Sequence, residues 1–365
     1  MTATAATPPP EPTLAAFLAG RRRFVRLALL AAVALLVVVC LLAVGLGAHA
    51  IAPARVLEVL TAWAHGAALA DRDHLVVVGV RLPRVALAAL IGATLAVGGV
   101  VMQAIFRNPL ADPGIVGVSS GAALAAALAI VVGDRVFATV GLTAPAELLP
   151  TAAFLGALGG MAVLGVVGRH AGRTRIGAVL LGGLAFAALA NAGIGLLVAV
   201  ADDRQLRDLT FWSLGSFGGA TWPRLAVAAP FLVVALAALA PLGRSLDALV
   251  IGEAEAFHLG RRVEWVKRVA FLAVALGVGA SVAAVGAVGF VGMVVPHVVR
   301  LALGSAHRPL LLGSAVGGAV LVVLADLAAR TLTAPAELPI GILTALIGAP
   351  VFLHLVLRGR GDLAG

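Results

Sequence analysis

A polar stretch that contains two prolines separates two long apolar runs between residues 103 and 121. It reads QAIFRNPLADPGIVGVSSG. The Asn-Pro pair at 108–109 ends a helix because proline lacks an N–H group, Asp-Pro-Gly at 112–114 turns the chain, and Ser-Ser-Gly at 119–121 precedes the next helix. Irregular backbone between membrane helices is tolerated where it lines a cavity. The stretch therefore predicts a gate or a lined path, and we expect no catalytic residue.

Ionisable side chains inside the apolar runs would be the groups that bind protons or sodium ions in a coupled carrier, since buried charge is costly. Nearly all of the 17 acidic residues fall in loops or tails. The clear exception, Asp326, precedes Arg330 by four residues, so the two share a helix face and can pair. A structural pair and a coupling role both stay open. The shortage of further buried charge disfavours an ion-coupled carrier.

The sequence contains no phosphate-binding loop. Its single lysine, Lys267, lies between Val266 and Arg268, so the motif GxxxxGK[ST] does not occur. We therefore expect that any energy for transport comes from another polypeptide. We also expect that this chain binds no cofactor and no metal ion.

The apolar runs that carry these residues predict an all-α polytopic membrane protein. The chain is 62% hydrophobic and 12% charged, with a mean hydropathy of +1.11. Runs of 18 or more apolar residues can cross about 30 Å of hydrocarbon. Eight segments read as one span each: 24–48, 83–106, 115–133, 149–168, 176–200, 223–243, 310–330 and 339–357. Residues 268–304 would form a helix of about 55 Å, so we expect two spans there, with a break near Gly286, Gly289 or Gly292.

The basic residues occur in small groups at the ends of the apolar runs, a pattern typical of cytoplasmic loops and not of nucleic-acid binding. With ten spans and a cytoplasmic N-terminus, 17 Lys and Arg residues lie inside and 9 outside; nine spans would give 14 and 12. This bias predicts ten spans and two cytoplasmic termini. The first apolar run is too long for a signal peptide, so we expect an uncleaved helix. The predicted organisation is a disordered tail at 1–23, a permease domain at 24–358 and a tail at 359–365.

Two further patterns bear on architecture. Arg-Val-Ala occurs at 84–86 and 268–270, and Ile-Gly at 176–177 and 340–341, which predicts inverted copies formed by spans 2 to 5 and 7 to 10. The connection at 244–268 combines helix-forming GEAEAFHLG with a basic amphipathic stretch. This connection is either an ordinary solvated loop or a pair of short helices that contact a cytoplasmic partner.

Several ordered strings resemble the FecCD family of ABC-transporter permeases. They are RLPR (81–84), GGVVMQAIFRNPLADPGIVGVSSGA (98–122), GFVGMVVPHVVR (289–300), ADLAAR (325–330) and AELPIGILTALIGAPVFLHLVLR (336–358). The resemblance covers residues 25–358. It implies a type II ABC importer permease fold in the bacterial inner membrane, a homodimer, two copies of a separate cytoplasmic ATPase that uses ATP, and a periplasmic substrate-binding protein.

The resemblance also implies roles for individual positions at both ends of the spans. Arg81, Arg84 and Arg330 match arginines that receive acidic residues of the binding protein, chemistry suited to guanidinium groups. Headgroup or structural contacts are the alternative for these arginines. In the loop at 244–268, the positions that match ATPase-coupling helices are Glu253, Glu255 and Gly260.

Two gate segments follow from the same resemblance. Asn108 and Leu110 match a cytoplasmic gate, although Asn108 could equally serve only as a helix cap. The second gate segment carries small hydroxyl residues in the cobalamin permease, and here only Thr174 keeps a hydroxyl. Small residues on spans 5 and 10 are our candidates for the cavity walls: Gly182, Gly183, Gly193 and Gly348.

The cargo is inferred from one external segment. Residues 208–222, DLTFWSLGSFGGATW, resemble the corresponding part of bacterial heme permeases, so heme is the predicted cargo. A ferric siderophore or cobalamin is the alternative within the family, and an ion-coupled secondary transporter is the alternative outside it. Of the histidines, only His354 lies inside a span, and tight axial ligation would oppose release of heme.

Overall fold

The computed structural model describes residues 14–47, 49–67, 71–115, 117–139, 143, 145, 147–170 and 173–362. These residues are almost entirely helical. The longer helices are α1 (Leu14–Gly45), α2 (Pro53–Ala64), α4 (Leu82–Phe106), α5 (Val118–Leu128), α7 (Leu148–Val167), α8 (Ile176–Val200), α9 (Asp203–Leu214), α10 (Trp222–Leu239), α13 (Val263–Val285), α14 (Val291–Leu303), α15 (His307–Thr331) and α16 (Ile340–Asp362). The short ones are α3 (Arg72–His74), α6 (Asp134–Thr139), α11 (Gly243–Ile251) and α12 (Glu253–His258), and β1 (Arg169–His170) pairs antiparallel with β2 (Arg173–Thr174).

Within the described residues, ten apolar helical segments account for the predicted spans. Eight are long enough to cross a bilayer, and two shorter apolar helices, Val291–Leu303 and Ile340–His354, complete the set. The predicted division of residues 268–304 is confirmed, because α13 ends at Val285 and α14 begins at Val291. Gly286 and Phe290 adopt positive φ values of 78° and 66° in the intervening segment. We call the end of the bundle that holds Arg84 the outer end and the end that holds Lys267 the inner end, following the orientation that the charge bias predicts.

The observed boundaries differ from the predicted ones in three places. Helix α1 begins at Leu14, so residues 14–23, predicted as part of a disordered tail, are helical. Helix α16 runs to Asp362 and takes in part of the predicted C-terminal tail, while residues 1–13 and 363–365 lie outside the described residues. Helical structure also begins at Arg72, before span 2, and passes through a π-helical turn at Leu75–Arg81. The wider π-helical turn accommodates Pro83, which has no N–H to donate.

Close contacts between glycines hold the centre of the bundle together. A methyl group on Gly99 of α4 would lie 1.7 Å from the carbonyl oxygen of Gly292 in α14. A methyl group on Gly92 of α4 would lie 2.2 Å from the carbonyl oxygen of Gly318 in α15. Such contacts suit a membrane interior, where lipid is as apolar as a side chain and helices associate through close packing. Helix α4 is accordingly the most enclosed span, with 78% of its apolar window buried.

The inverted repeat is visible in the order of the helices. Helices α4, α5, α7 and α8 correspond to α13, α14, α15 and α16. The second helix of each set begins after irregular backbone, with Gly117 (φ 71°) before α5 and Phe290 (φ 66°) before α14. Helix α4 packs on α15 and α13 packs on α7, the crosswise pairing that two interlocked copies produce.

Candidate functional site

The two irregular segments meet at one cavity of about 520 Å³. Its walls come from α4, α5, α13, α14, α16, the segment after α4 and the break at 286–290. They are mostly apolar, with Asp112, Ser119 and Ser281 as the polar side chains. Pro113 contacts the start of α14 so closely that a methyl group on Gly292 would lie 2.4 Å from its Cδ. Five residues of the stretch at 103–121 therefore line this cavity, and the role of the stretch as a gate or a transport path stays a prediction.

Asn108 holds the backbone that places Leu110 at this cavity. Helix α4 ends with Arg107 in the left-handed conformation (φ 48°), and the Asn108 N–H donates to the Gln103 carbonyl at 3.1 Å. The Asn108 Oδ1 then accepts the Leu110 N–H at 2.9 Å, and Leu110 lines the cavity. The backbone of Asn108 thus caps the C-terminal end of α4, and its side chain closes a turn that helps to fix the position of Leu110, so capping and a gating role are compatible. The gating role itself stays a prediction.

Arg84 lies at the centre of an ion cluster at the outer end. Its Nε and Nη2 donate to Asp326 Oδ1 at 3.0 and 2.9 Å, and its Nη1 donates to Glu337 Oε1 at 2.8 Å. Arg330 is the more distant partner of Asp326, with Nε 3.7 Å from Oδ2. Hydrogen bonds from Arg84 hold the pKa of Glu337 below its ordinary value. The local spacing predicted the pair between Asp326 and Arg330 and missed Arg84, which is 242 residues from Asp326 in the chain.

The other two outer arginines donate hydrogen bonds to the C-terminal end of α1. Arg81 donates to the carbonyl oxygens of Val44 and Gly45 at 2.8 and 2.7 Å, and Arg330 donates to that of Ala43. The last carbonyls of a helix have no partner within it and attract positive charge. Arg81, Arg84 and Arg330 are only 5%, 6% and 8% exposed. The structure thus gives all three the intrachain contacts that the sequence left as an alternative, and their docking role stays a prediction.

At the inner end, a second polar cluster surrounds Thr174. The Thr174 N–H and Oγ1 donate to Glu264 Oε2 at 3.1 and 2.9 Å. Lys267 Nζ donates to the Thr174 carbonyl at 3.1 Å and lies 2.7 Å from Glu253 Oε1 and 3.4 Å from Glu264 Oε1. Lys267 is 1% exposed. The sequence singled out Thr174 and Glu253 for different roles, and nothing in their spacing indicated that Lys267 joins them.

The connection at 244–268 contains the pair of short helices, α11 and α12, that was one of its two predicted forms. Gly260 ends α12 with a positive φ of 74°, the conformation that favours glycine after a helix. Glu255 is exposed, whereas Glu253 contacts Lys267. The exposed apolar side chains of Ile251 (69%) and Phe257 (70%) give this face the character of a protein interface. Contact with an ATPase stays a prediction.

The glycines proposed for the cavity walls have other neighbours in one copy of the chain. Gly182 approaches Val167 of α7 and Gly193 approaches Leu124 of α5, while Gly183 is buried. Gly348 contacts Phe290, so it lies beside the cavity. Among the residues that the structure describes, no three His, Cys, Asp or Glu side chains are grouped as a metal site would require.

The part of the chain that the structure describes has ten apolar helices, two broken segments around a shared cavity and short helices at one end, and this arrangement defines a multi-pass transport permease. Comparison with known proteins makes the class specific. The sequence profile of the FecCD transport family matches residues 35–358, and the chain belongs to that family. It is therefore the permease subunit of an ABC importer and not itself an enzyme.

Three relatives show the range of the similarity. The hemin transport system permease protein HmuU of Yersinia pestis is 44% identical over 286 residues, which cover 78% of this chain and 84% of HmuU. The cobalamin import system permease protein BtuC of Halobacterium salinarum is 42% identical over 287 residues, or 78% of this chain and 74% of BtuC. A solved inward-facing structure, assigned to the metal-chelate type of ABC transporter, superposes with a TM-score of 0.77 at 32% identity, covering 91% of this chain and 99% of that one.

Proposed function

We propose that this permease carries heme from the periplasm to the cytoplasm. The observation that carries the proposal is the 44% identity to a hemin permease, joined by the resemblance of residues 208–222 to heme permeases. The apolar walls of the cavity support it, because a porphyrin presents two apolar faces. Cobalamin, with its many amides, would leave more polar groups without partners on such walls.

The complex we propose contains two copies of this chain, two copies of a cytoplasmic ATPase and one periplasmic substrate-binding protein. Helices α8 and α16 offer broad apolar faces to a second copy, and Leu181, Leu189 and Leu346 are 72%, 72% and 67% exposed. The binding protein meets the outer end, where an incoming carboxylate competes with the 40%-exposed Glu337 for Arg84. The ATPase contacts α11 and α12. ATP binding and hydrolysis then alternate access to the cavity past Leu110 and Thr174.

The cargo is tested by reconstituting the permease, its ATPase and its binding protein in liposomes. ATP hydrolysis and uptake are measured with hemin, a ferric hydroxamate siderophore or cyanocobalamin. We expect hemin to stimulate both activities. Stimulation by cyanocobalamin or the siderophore but not by hemin would overturn the cargo assignment.

A second arm of the same experiment tests the energy source. Liposomes without the ATPase receive a sodium or proton gradient, and an ATPase variant that binds but does not hydrolyse ATP serves as the matched control. We expect no uptake in either case. Uptake driven by a gradient alone would support the ion-coupled alternative.

A further inference from the structure

Lys267 joins three elements at the inner end of the bundle. It belongs to α13, its Nζ contacts Glu253 of α12 at 2.7 Å, and it donates to the Thr174 carbonyl of β2 at 3.1 Å. The side chain is the only lysine in the sequence and is 1% exposed. A lysine head group normally remains in water, so its enclosure here requires the full set of partners.

Glu264 forms a second connection between α13 and β2. Its Oε2 accepts both the N–H and the Oγ1 of Thr174, while its Oε1 lies 3.4 Å from Lys267 Nζ. The backbone and side chain of Thr174 are therefore held by one anion and one cation of α13. A displacement of the strand relative to α13 would break three hydrogen bonds at once.

The connection to α12 has a different character. Helix α12 has six residues and is anchored by Ala256, which is fully buried, and by the pair of Glu253 with Lys267. The Glu253 side chain is 42% exposed. Helix α12 also packs on α11 and is joined to α13 by residues 259–262, and the ammonium group of Lys267 adds a side-chain route from α12 to both α13 and β2.

We propose that Lys267 is the positioning residue that links movement of α12 to movement of the gate segment around Thr174. Lys267 touches neither cargo nor nucleotide. It acts by keeping Glu253 and Thr174 at a fixed separation, so that displacement of α12 by a cytoplasmic partner displaces β2 as well. The inference rests on the proposed contact of the ATPase with α11 and α12.

The positive charge of Lys267 and its contacts with two other elements support a role in coupling movements over a role in local packing alone. An apolar residue at position 267 would fill the same space but leave Glu253 and Glu264 without their cation, and because these carboxylates are 42% and 28% exposed, water compensates part of that loss. A cation at this position, unlike an apolar residue, contacts acceptors on two other elements at once. The three donors of an ammonium group allow Lys267 to hold Glu253, Glu264 and the Thr174 carbonyl simultaneously.

The test compares Lys267→Met and Lys267→Arg in liposomes that contain the ATPase and the binding protein, with hemin as the transported probe. We expect Lys267→Met to bind the ATPase within about twofold of the unchanged protein. The amount of hemin moved per ATP hydrolysed should fall about tenfold, the usual scale of a lost coupling interaction. Lys267→Arg keeps a cation with several donors and should restore most of that ratio.

Two further variants test the two ends of the link, and a third variant serves as the control. Glu264→Gln weakens the hold on Thr174, and because Glu264 belongs to α13 and not to α12, it should lower the ratio while ATPase binding stays intact. Glu253→Gln weakens the contact with α12 and should lower the ratio as well. Arg23→Met removes an exposed cation from the inner half of α1 and serves as the matched control, with no expected change.

A spectroscopic readout reports the link without measuring transport. Spin labels at the exposed positions Arg173 and Phe257 report the distance between the β hairpin and α12. We expect a single narrow distance that shifts when ATP binds, and a broad, nucleotide-independent distribution in Lys267→Met. This distance measurement does not depend on which cargo is transported. A wrong cargo assignment can therefore be distinguished from the absence of the link.

An unchanged ratio of hemin to ATP in Lys267→Met, together with an unchanged distance distribution, would overturn the proposal. Loss of ATPase binding in that variant would overturn it too, because Lys267 would then belong to the ATPase contact. If Lys267→Met does not fold, Glu264→Gln decides the matter, since an unchanged ratio in that variant contradicts the link equally.

Discussion

Replacing Arg84 with methionine removes the guanidinium that contacts Asp326 and Glu337 at the outer end. Asp326 is 1% exposed and would keep only Arg330, whose Nε is 3.7 Å away. Breaking one partner out of a buried ion pair costs about 3–5 kcal/mol, since the remaining charge has lost its compensation. Glu337 is 40% exposed, so losing that contact adds about 1 kcal/mol or less. We therefore expect Arg84→Met to lower the free energy of unfolding by about 3–5 kcal/mol.

The free energy of unfolding can be measured by titrating the purified permease with SDS and following tryptophan fluorescence. Arg72→Met is the matched control, because Arg72 is exposed at the same end, and it should change stability by about 0.5 kcal/mol or less. Glu337→Gln should cost about 1 kcal/mol or less. The double variant Arg84→Met with Asp326→Asn should be more stable than the sum of the single effects predicts, by about 1–3 kcal/mol.

A stability for Arg84→Met within about 1 kcal/mol of the unchanged protein would refute the reasoning, since the pair would then carry no net energy. The same variant also separates the two roles considered for Arg84. If the variant stays stable but its affinity for the binding protein falls, then Arg84 acts mainly in docking. If stability falls and the surviving protein binds normally, the role is structural.

Two further predictions concern packing and the gate. In the same SDS titration, Gly99→Ala should destabilise the fold by about 2 kcal/mol or more, because the added methyl would lie 1.7 Å from the Gly292 carbonyl oxygen and overpack the core. Gly165→Ala is the control and should be close to neutral, because a methyl there meets no atom within 4 Å. Equal effects of the two variants would contradict the packing argument. Asn108→Ala should cost about 1 kcal/mol, the usual contribution of one hydrogen bond, and increase passive leak of hemin through liposomes, because Leu110 loses the acceptor that orients its N–H. Asn108→Asp keeps an acceptor and should leak less than Asn108→Ala, so equal leak from both variants would show that this turn does not hold the gate.

The span count and the position of the main break could be predicted from sequence because both depend on local features. Hydropathy over about 18 residues and the distance across a bilayer decide where a helix can span. Residues 268–304 were too long for one span, and the break lies at Gly286 to Phe290, where Gly286 adopts the positive φ that glycine favours. The start of α1 at Leu14 was missed because a helix can continue past the edge of the apolar region.

The candidate site was predicted less completely because its contacts join distant parts of the chain. The break around Asn108 could be predicted because proline and aspartate interrupt the sequence there, whereas the choice of Asn108 and Leu110 as a gate came from the family resemblance and stays a prediction. The partners of Arg84 could not be predicted, because helix α4 meets α15 only through the fold and the pair spans 242 residues. The cluster around Lys267 was missed for the same reason. Spacing along α15 predicted the pair of Asp326 with Arg330. In the structure, Arg84 lies closer to Asp326 than Arg330 does.

The glycine contacts of α4 limit how the permease can change shape. Backbone atoms of α4 interlock with α14 at Gly99 and Gly292 and with α15 at Gly92 and Gly318, so small sliding steps between these helices would drive backbone into backbone. We therefore expect these three helices to move as one rigid body. Gln103 of α4 accepts a hydrogen bond from Arg300 of α14 at 2.7 Å within that body. Probes placed on these helices would give a stationary reference frame, against which displacements of α8, α16 and the β hairpin could be measured during a transport cycle.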